Sequence, residues 1–297
     1  MVTYLNGSFV ADEDAKVSVH DRGFMLGDGV FEVWRTYGGR ICHAMIDKHF
    51  ARLTQSLRYM ELDPETIIPA VRSASSQLME RNSADIEKLG DVRVFTIVTR
   101  GLVDELVGTS DNGPTITIFL SPVPDRGDDL YGKGARLATS LMYRDPWGAV
   151  DPRVKTTSRF AYARGVLKMG RVGSRSWVLF CDNEGNPTEC SGANTFIVSN
   201  GVIERPPRER VLGGINMATF LALAEKLGIR VEERKLTLYD YLNADEVILT
   251  TTSVGAVHVT EIDGISLTPR TTVYDRVMDE WFNYVGVDFI ARASKKA

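Results

Sequence analysis

Lys155 follows a turn built by Asp151-Pro152-Arg153 and precedes a run of helical character. Glu189 lies further along, inside Thr188-Glu189-Cys190-Ser191-Gly192-Ala193-Asn194. An amine and a carboxylate placed at element boundaries are groups that can move protons in general acid–base chemistry. Taken alone, the same pair is an ion pair on a solvated surface. A third stretch points to an anion. Leu212-Gly213-Gly214-Ile215-Asn216 leads into a helical pattern, and the first N–H groups of a helix bind anions well because they have no partner within it. Glycine lets the backbone approach a ligand closely, although a Gly-Gly before a helix is by itself a plain turn. Thr251 and Thr252 end a short apolar strand pattern and offer hydroxyl and amide donors. Arg52 sits within an amphipathic run, where residue type alone makes it part of a solvated face. No P-loop and no GxGxxG competes with these stretches.

The elements that must position these groups follow from periodicity and turn chemistry. Asn6-Gly7 between Thr3-Tyr4-Leu5 and Ser8-Phe9-Val10 predicts a hairpin, because both turn residues tolerate positive φ. A second hairpin is expected between Phe31–Tyr37 and Arg40–His43 across Gly38-Gly39. Met45 to Met60 carries apolar residues at a helical period, with Arg52 in its middle. Another helix is expected from Pro64 or Glu65 to about Arg81, broken or kinked at Pro69. Val92 to Val98 and Thr115 to Leu120 read as β-branched strands.

Pro122 to Asp129 is polar and rich in turn formers, so a linker is placed there. Beyond it, strands are expected at Ala135–Tyr143, Trp177–Cys181, Asn194–Val198 and Glu246–Thr250, with a hairpin turn at Gly185-Asn186. Helices are expected over Arg159–Gly170, Asn216–Leu227 closed by Gly228, and Thr271–Val285 stopped by Gly286. The domain reading is an N-terminal α/β domain over 1–121, a linker over 122–134, and a C-terminal α/β domain over 135–297 that carries Lys155.

Composition removes several function classes. The chain has 297 residues, 43% apolar and 25% charged, ordinary values for a globular protein with a real core. A net charge of -4 without a polybasic segment gives no footprint for nucleic acid or a membrane surface. The N-terminus lacks the basic and apolar regions of a secretory signal, and stretches such as Thr115 to Leu120 are too short to span a bilayer. Three cysteines without CxxC spacing predict free thiols and a cytoplasmic location. The four histidines lack zinc-ligand spacing, so no metal is expected.

Five stretches in order resemble the class IV (fold-type IV) pyridoxal 5'-phosphate (PLP) enzymes. These include branched-chain and D-amino acid aminotransferases, (R)-selective amine transaminases and aminodeoxychorismate lyase. The stretches are His49-Phe50-Ala51-Arg52-Leu53, Val154-Lys155-Thr156, Thr188 through Phe196, Leu212-Gly213-Gly214-Ile215, and Asp245-Glu246-Val247 leading into Thr250-Thr251-Thr252. The resemblance implies a two-domain D-amino acid aminotransferase-like fold, PLP as cofactor, and a homodimer. It implies that Lys155 is the Schiff-base lysine, which must be neutral to attack an aldehyde and can then shuttle a proton. Glu189, in a Glu-x-x-x-x-Asn pattern with Asn194, would keep the pyridine nitrogen protonated so that the ring accepts electrons. Arg52, Gly214, Ile215, Asn216, Thr251 and Thr252 would form the phosphate site, and Leu212 would pack against the ring.

Two departures stand out. Phe160 replaces a tyrosine of the branched-chain enzymes, and Asn216-Met217 replaces the family's Thr-Arg. The substrate signals are mixed. Phe31, Val33 and Arg35 face one side of a strand. Arg35 and Arg93 resemble the branched-chain pattern, whereas Gly27-Asp28-Gly29-Val30 and Val33 resemble the D-amino acid enzymes. Their Arg-x-His carboxylate trap is absent, Leu102-Val103-Asp104-Glu105 following Thr99-Arg100-Gly101 instead. Thr251-Thr252-Ser253-Val254-Gly255 and Gly148 to Lys155 resemble the (R)-amine transaminases. The expected activity is transfer of an amino group from a D-amino acid or (R)-amine to a 2-oxo acid by a ping-pong mechanism. Branched-chain L-amino acid transamination, a PLP lyase and a non-catalytic binder are the alternatives.

Overall fold

The computed structural model describes residues 1–102, 113–125, 127–140, 150–169, 175–269 and 271–294. Two compact units divide the chain. One holds Met1–Val123 with Val154–Arg159, the other Pro124–Arg153 with Phe160–Ala297. Residues 103–105, which stand where the Arg-x-His trap would be, residues 141–143 of the expected Ala135–Tyr143 strand, and the stretch 148–149 lie outside the described residues.

In the first unit the chain runs β1 (Val2–Leu5), β2 (Ser8–Ala11), α1 (Arg22–Leu26), β3 (Gly29–Arg35), α2 (His43–Tyr59), α3 (Pro64–Arg81), α4 (Ser83–Leu89), β4 (Val92–Thr99) and β5 (Thr115–Pro122). The strands form one antiparallel sheet in the order β2-β1-β5-β4-β3. The β1–β2 hairpin turns at Asn6-Gly7, both at positive φ. The second expected hairpin does not form. β3 pairs along its length with β4, and only a Tyr37–Arg40 bridge closes the Gly38-Gly39 turn. Three residues after that turn the chain enters α2, which leaves no strand to pair. Helix α3 also continues through Pro69. The proline lies in the second turn, and the turns on either side keep their own hydrogen bonds, so one missing N–H does not end the helix.

Helix α2 covers the sheet with a stripe at helical spacing that includes Phe50, Leu53 and Leu57. Burying each of the two leucines, both almost wholly inaccessible, stabilises the unit by roughly 1.5–3 kcal/mol. His49, Arg52 and Ser56 lie in the same buried stripe, so polar groups run down the inner face of a helix whose neighbours are apolar.

The second unit runs α5 (Gly127–Tyr131), β6 (Ala135–Ser140), α6 (Phe160–Met169), β7 (Ser176–Cys181), β8 (Pro187–Cys190), β9 (Ala193–Ser199), β10 (Val202–Arg205), α7 (Ile215–Lys226), β11 (Val231–Glu233), α8 (Leu238–Asn243), β12 (Glu246–Thr251), β13 (Gly255–Ile262), β14 (Ile265–Ser266), α9 (Thr272–Val285) and α10 (Phe289–Ser294). Among the described residues its sheet has nine strands. Because β8 pairs with both β7 and β9, the path β9-β12-β13-β6-β7-β8 closes on itself. A closed path removes sheet edges and encloses Leu137, Leu179, Ile197, Val247, Leu249, Val257 and Val259 in one core. Helices α7 and α9 pack together, with Phe220 between Phe196 and Trp281 at ring separations of 5.2 and 6.4 Å.

Two boundaries differ from the sequence reading. The stretch read as a linker contains the end of β5 and helix α5, whose Leu130 is buried in the second unit's core, so its apolar side chain overrides its polar neighbours. Lys155 groups with the N-terminal unit because its segment pairs with the outer edge of β3. Phe31 N–H donates to Lys155 O at 2.9 Å, Thr157 N–H donates to Gly29 O at 2.9 Å, and Val30 bridges Thr156. Among the described residues no helix is long and apolar enough to cross a membrane, and no group of three or more His, Cys, Asp or Glu could hold a metal ion.

Candidate active site

In the first unit the candidate groups gather where the Lys155 segment meets β3 and α2. The edge pairing fixes the Lys155 backbone, and Lys155 N–H donates to Ser56 Oγ at 3.3 Å, one helical turn beyond Arg52. The Lys155 ammonium carbon chain carries Nζ to 4.3 Å from the centroid of the Phe31 ring. Arg159 lies over the same ring at 5.2 Å. Phe31 therefore faces two cationic side chains, an arrangement favoured by the negative face of an aromatic ring. Phe160 is largely exposed.

Arg52 does not stand alone. Its Nε donates to Glu32 Oε2 at 2.9 Å and its Nη2 to Glu32 Oε1 at 2.6 Å. Glu32 Oε1 also meets His49 Nδ1 at 3.0 Å and accepts from Val33 N–H at 2.8 Å. All three side chains are buried. Burial alone would raise the Glu32 carboxyl pKa, but Arg52 and His49 outweigh it and hold the group well below the usual carboxylate range. Burial pushes the His49 pKa down, against the pull of Glu32. The result is a carboxylate and a guanidinium with a neutral imidazole beside them.

Strand β3 sends Phe31, Val33 and Arg35 to the side opposite Val30, Glu32 and Trp34. Arg35 is engaged by its own unit. Its Nε donates to Thr36 O at 3.0 Å, its Nη2 reaches Asp91 at 3.4 Å, and its guanidinium lies 4.8 Å from the Tyr37 ring. Arg93, the register partner of Arg35, donates to Ser121 Oγ at 2.8 Å and lies over Phe95. Four residues of extended strand, about 13 Å, separate Arg35 from Phe31. The structure thus groups Phe31 with Lys155 and places Arg35 and Arg93 together at the other end of the β3–β4 pair, each with partners in its own unit.

In the second unit, β8 and β9 are joined by the Ser191-Gly192 turn, which sets Glu189 opposite Asn194. Both are buried. Glu189 Oε2 accepts from Asn194 Nδ2 at 3.2 Å and from Leu212 N–H at 2.8 Å, while Asn194 Nδ2 also donates to Leu212 O at 2.9 Å. This clasp ties Leu212 to the sheet immediately before α7. Gly214 then caps α7 with no side-chain hydrogen bond, so the first-turn amides of Ile215 and Asn216 are presented at the helix start. A Cβ on Gly214 would come within 1.8 Å of Asn194 Oδ1, and one on Gly213 would meet nothing within 4 Å. Asn216 Nδ2 donates to Thr251 O at 2.8 Å, joining the helix start to the end of β12, where Thr252 follows.

These residues fit PLP. Asn216 Oδ1 and Thr250 Oγ1 are buried polar atoms without a hydrogen-bond partner among the described residues, beside an uncapped helix start that suits a phosphate. A buried carboxylate fixed by two donors suits a ring nitrogen that must stay protonated. A lysine whose backbone is held by two hydrogen bonds, from Phe31 N–H and to Ser56 Oγ, suits the amine that PLP needs.

The sequence singles out Lys155, Arg52, Glu189 and the Leu212–Asn216 turn but gives no role to Glu32, to His49, which it shows only as part of the Arg52 stretch, or to Arg159. A signal for the first two was present. Glu32 alternates with Val30 and Trp34, and His49 and Arg52 are three apart among apolar helix positions, which places charged groups on buried faces.

A family model described as amino-transferase class IV matches residues 29–262. A putative branched-chain-amino-acid aminotransferase of Methanocaldococcus jannaschii is 35% identical, covering 89% of this chain and 88% of that protein. A D-alanine aminotransferase of Listeria monocytogenes serotype 4b is 29% identical, covering 90% and 89%. Among solved structures, an Escherichia coli branched-chain amino acid aminotransferase superposes with a TM-score of 0.83 at 23% identity, covering 98% of this chain and 95% of that one. At that identity the last likeness concerns the fold.

Proposed function

Since the chain belongs to the class IV aminotransferases, whose cofactor is PLP, we propose that it moves an amino group from a D-amino acid or (R)-amine to a 2-oxo acid. The observation that carries the substrate side is the engagement of Arg35 and Arg93. These are the arginines through which the sequence resembles branched-chain enzymes, and they hold Asp91, Thr36 and Ser121 instead. A donor that does not rely on them fits better. The 35% relative favours a second reading, transamination of branched-chain L-amino acids.

Bound PLP supplies the electron sink for breaking a bond to the amine-bearing carbon. Lys155 would hold the cofactor through Nζ, and its amine would move a proton at the amine-bearing carbon of the substrate. Glu189 holds the proton of the pyridine nitrogen, with Asn194 and the Leu212 amide keeping its carboxylate in place. Arg52, the amides of Ile215 and Asn216 that follow Gly214, and Thr251 and Thr252 would bind the phosphate. Leu212 packs on the ring, and Phe31 and Val33 line the substrate side. Three free thiols, Cys42, Cys181 and Cys190, support a reducing cytoplasmic setting. Exposed Phe24, Met25 and Leu26 on α1 support a homodimer, which sedimentation at the mass of one chain would contradict.

The test is product analysis with D-alanine, (R)-1-phenylethylamine or L-leucine, with and without a 2-oxo acid. Oxo product that appears only with acceptor, and with the D- or (R)-donor, supports the proposal. Pyruvate released from aminodeoxychorismate without acceptor would make the protein a lyase.

A further inference from the structure

We propose that Glu32 and His49 are positioning residues that hold the Arg52 guanidinium in the orientation required to bind the cofactor's phosphate. The inference rests on the phosphate role given to Arg52 above. Arg52 projects from the inner face of α2, where an unpaired guanidinium would be costly. Glu32 takes it side-on through Nε and Nη2, and two parallel bonds fix both the position and the plane of the group. The fork uses one edge of the guanidinium.

The carboxylate is itself immobilised. Glu32 belongs to a strand paired with β4 on one side and with the Lys155 segment on the other. Its Oε1 accepts from Val33 N–H of the same strand and contacts His49 Nδ1. A carboxylate only accepts, so a neutral His49 must carry its proton on Nδ1 to donate here. His49 stands one turn before Arg52 on α2, and Ser56, which receives the Lys155 amide, stands one turn after it. One helix therefore carries the brace, the anchor and the contact to the lysine segment. A pinned guanidinium loses little further freedom when it meets a phosphate, which raises affinity without adding a contact.

The test separates phosphate recognition from everything else PLP does. The full chain is stripped of cofactor and titrated with PLP and with pyridoxal, which lacks the phosphate, following absorbance. Arg52→Gln should weaken PLP by tenfold or more and leave pyridoxal nearly unchanged. Glu32→Gln and His49→Phe should each weaken PLP by about three- to tenfold, roughly one ordinary hydrogen bond, again sparing pyridoxal. The double variant Glu32→Gln/Arg52→Gln should bind PLP no more weakly than Arg52→Gln. Should Glu32→Gln fail to fold, Glu32→Asp keeps the charge, shifts the fork by one methylene, and should show the same phosphate-selective loss. His49→Gln, which keeps a donor, should restore most of the affinity lost in His49→Phe. Equal losses for PLP and pyridoxal would mark a merely structural role and overturn the proposal. Unchanged PLP affinity in the Glu32 and His49 variants, with Arg52→Gln impaired, overturns the positioning alone. Unchanged affinity in Arg52→Gln overturns the anchor and the positioning together.

Discussion

The proposed function places the chemistry on Lys155, and its replacement gives the clearest residue-scale prediction. Lys155→Ala should lower turnover by at least about 10²–10⁴-fold, the range for loss of a positioned proton carrier. The purified variant should also lose the visible absorbance of the holoprotein. Normal turnover would remove Lys155 from the mechanism. His258 makes a separate prediction about stability. Its ring lies against that of Tyr274, with centroids 3.8 Å apart and planes tilted by 47°, and neither nitrogen has a hydrogen-bond partner among the described residues. Burial lowers its pKa from 6.5 to about 4. Between those values the unfolded chain binds more protons than the folded one, so stability falls as pH falls through that window. Burial of His49 acts in the same direction. The melting temperature should therefore drop between pH 7 and pH 5, and His258→Leu should flatten the drop. A slope unchanged in that variant would assign the loss to other groups. At this scale the sequence displays the reacting groups better than their supports. Lys155 is singled out by the family resemblance of its stretch, whereas Glu32 is recognised only once its strand face is known to be buried.

Elements were legible where local chemistry decides them. The β1–β2 hairpin follows from Asn6-Gly7, and helix α9 ends at Gly286, whose φ is 74°. They were less legible where a distant partner decides. The Phe31–Tyr37 run looks like half of a local hairpin, yet its partner β4 lies beyond three intervening helices, and no short-range pattern encodes that pairing. Gly214 shows how closely the elements of the second unit are fitted. Its φ of −63° is open to any residue, so its role is steric. Gly214→Ala would drive a methyl group into Asn194 Oδ1 and displace the side chain that joins Glu189 to Leu212. Overpacking of this kind costs about 1–3 kcal/mol. Urea unfolding should show that loss, with weaker PLP retention alongside it. A variant as stable and as well loaded as the parent would contradict the clasp.

For the whole molecule, the family was legible from five short stretches in order, and the matched range of 29–262 contains all of them. The division of the chain was harder to read. Composition marks Pro122 to Asp129 as polar, but it carries no trace of the pairing that returns Val154–Arg159 to the first unit. Donor choice was least legible, because it depends on which arginines remain for a carboxylate once the fold has used the others. Arg35 and Arg93 show this, since each has the right residue type and each is taken up by its own sheet. The most direct measurement is therefore the half-reaction. The holoprotein is mixed, without acceptor, with D-alanine, (R)-1-phenylethylamine or L-leucine while its visible absorbance is followed. The account predicts that D-alanine or (R)-1-phenylethylamine bleaches the band faster than L-leucine does. Bleaching by L-leucine alone would contradict it and establish the branched-chain reading.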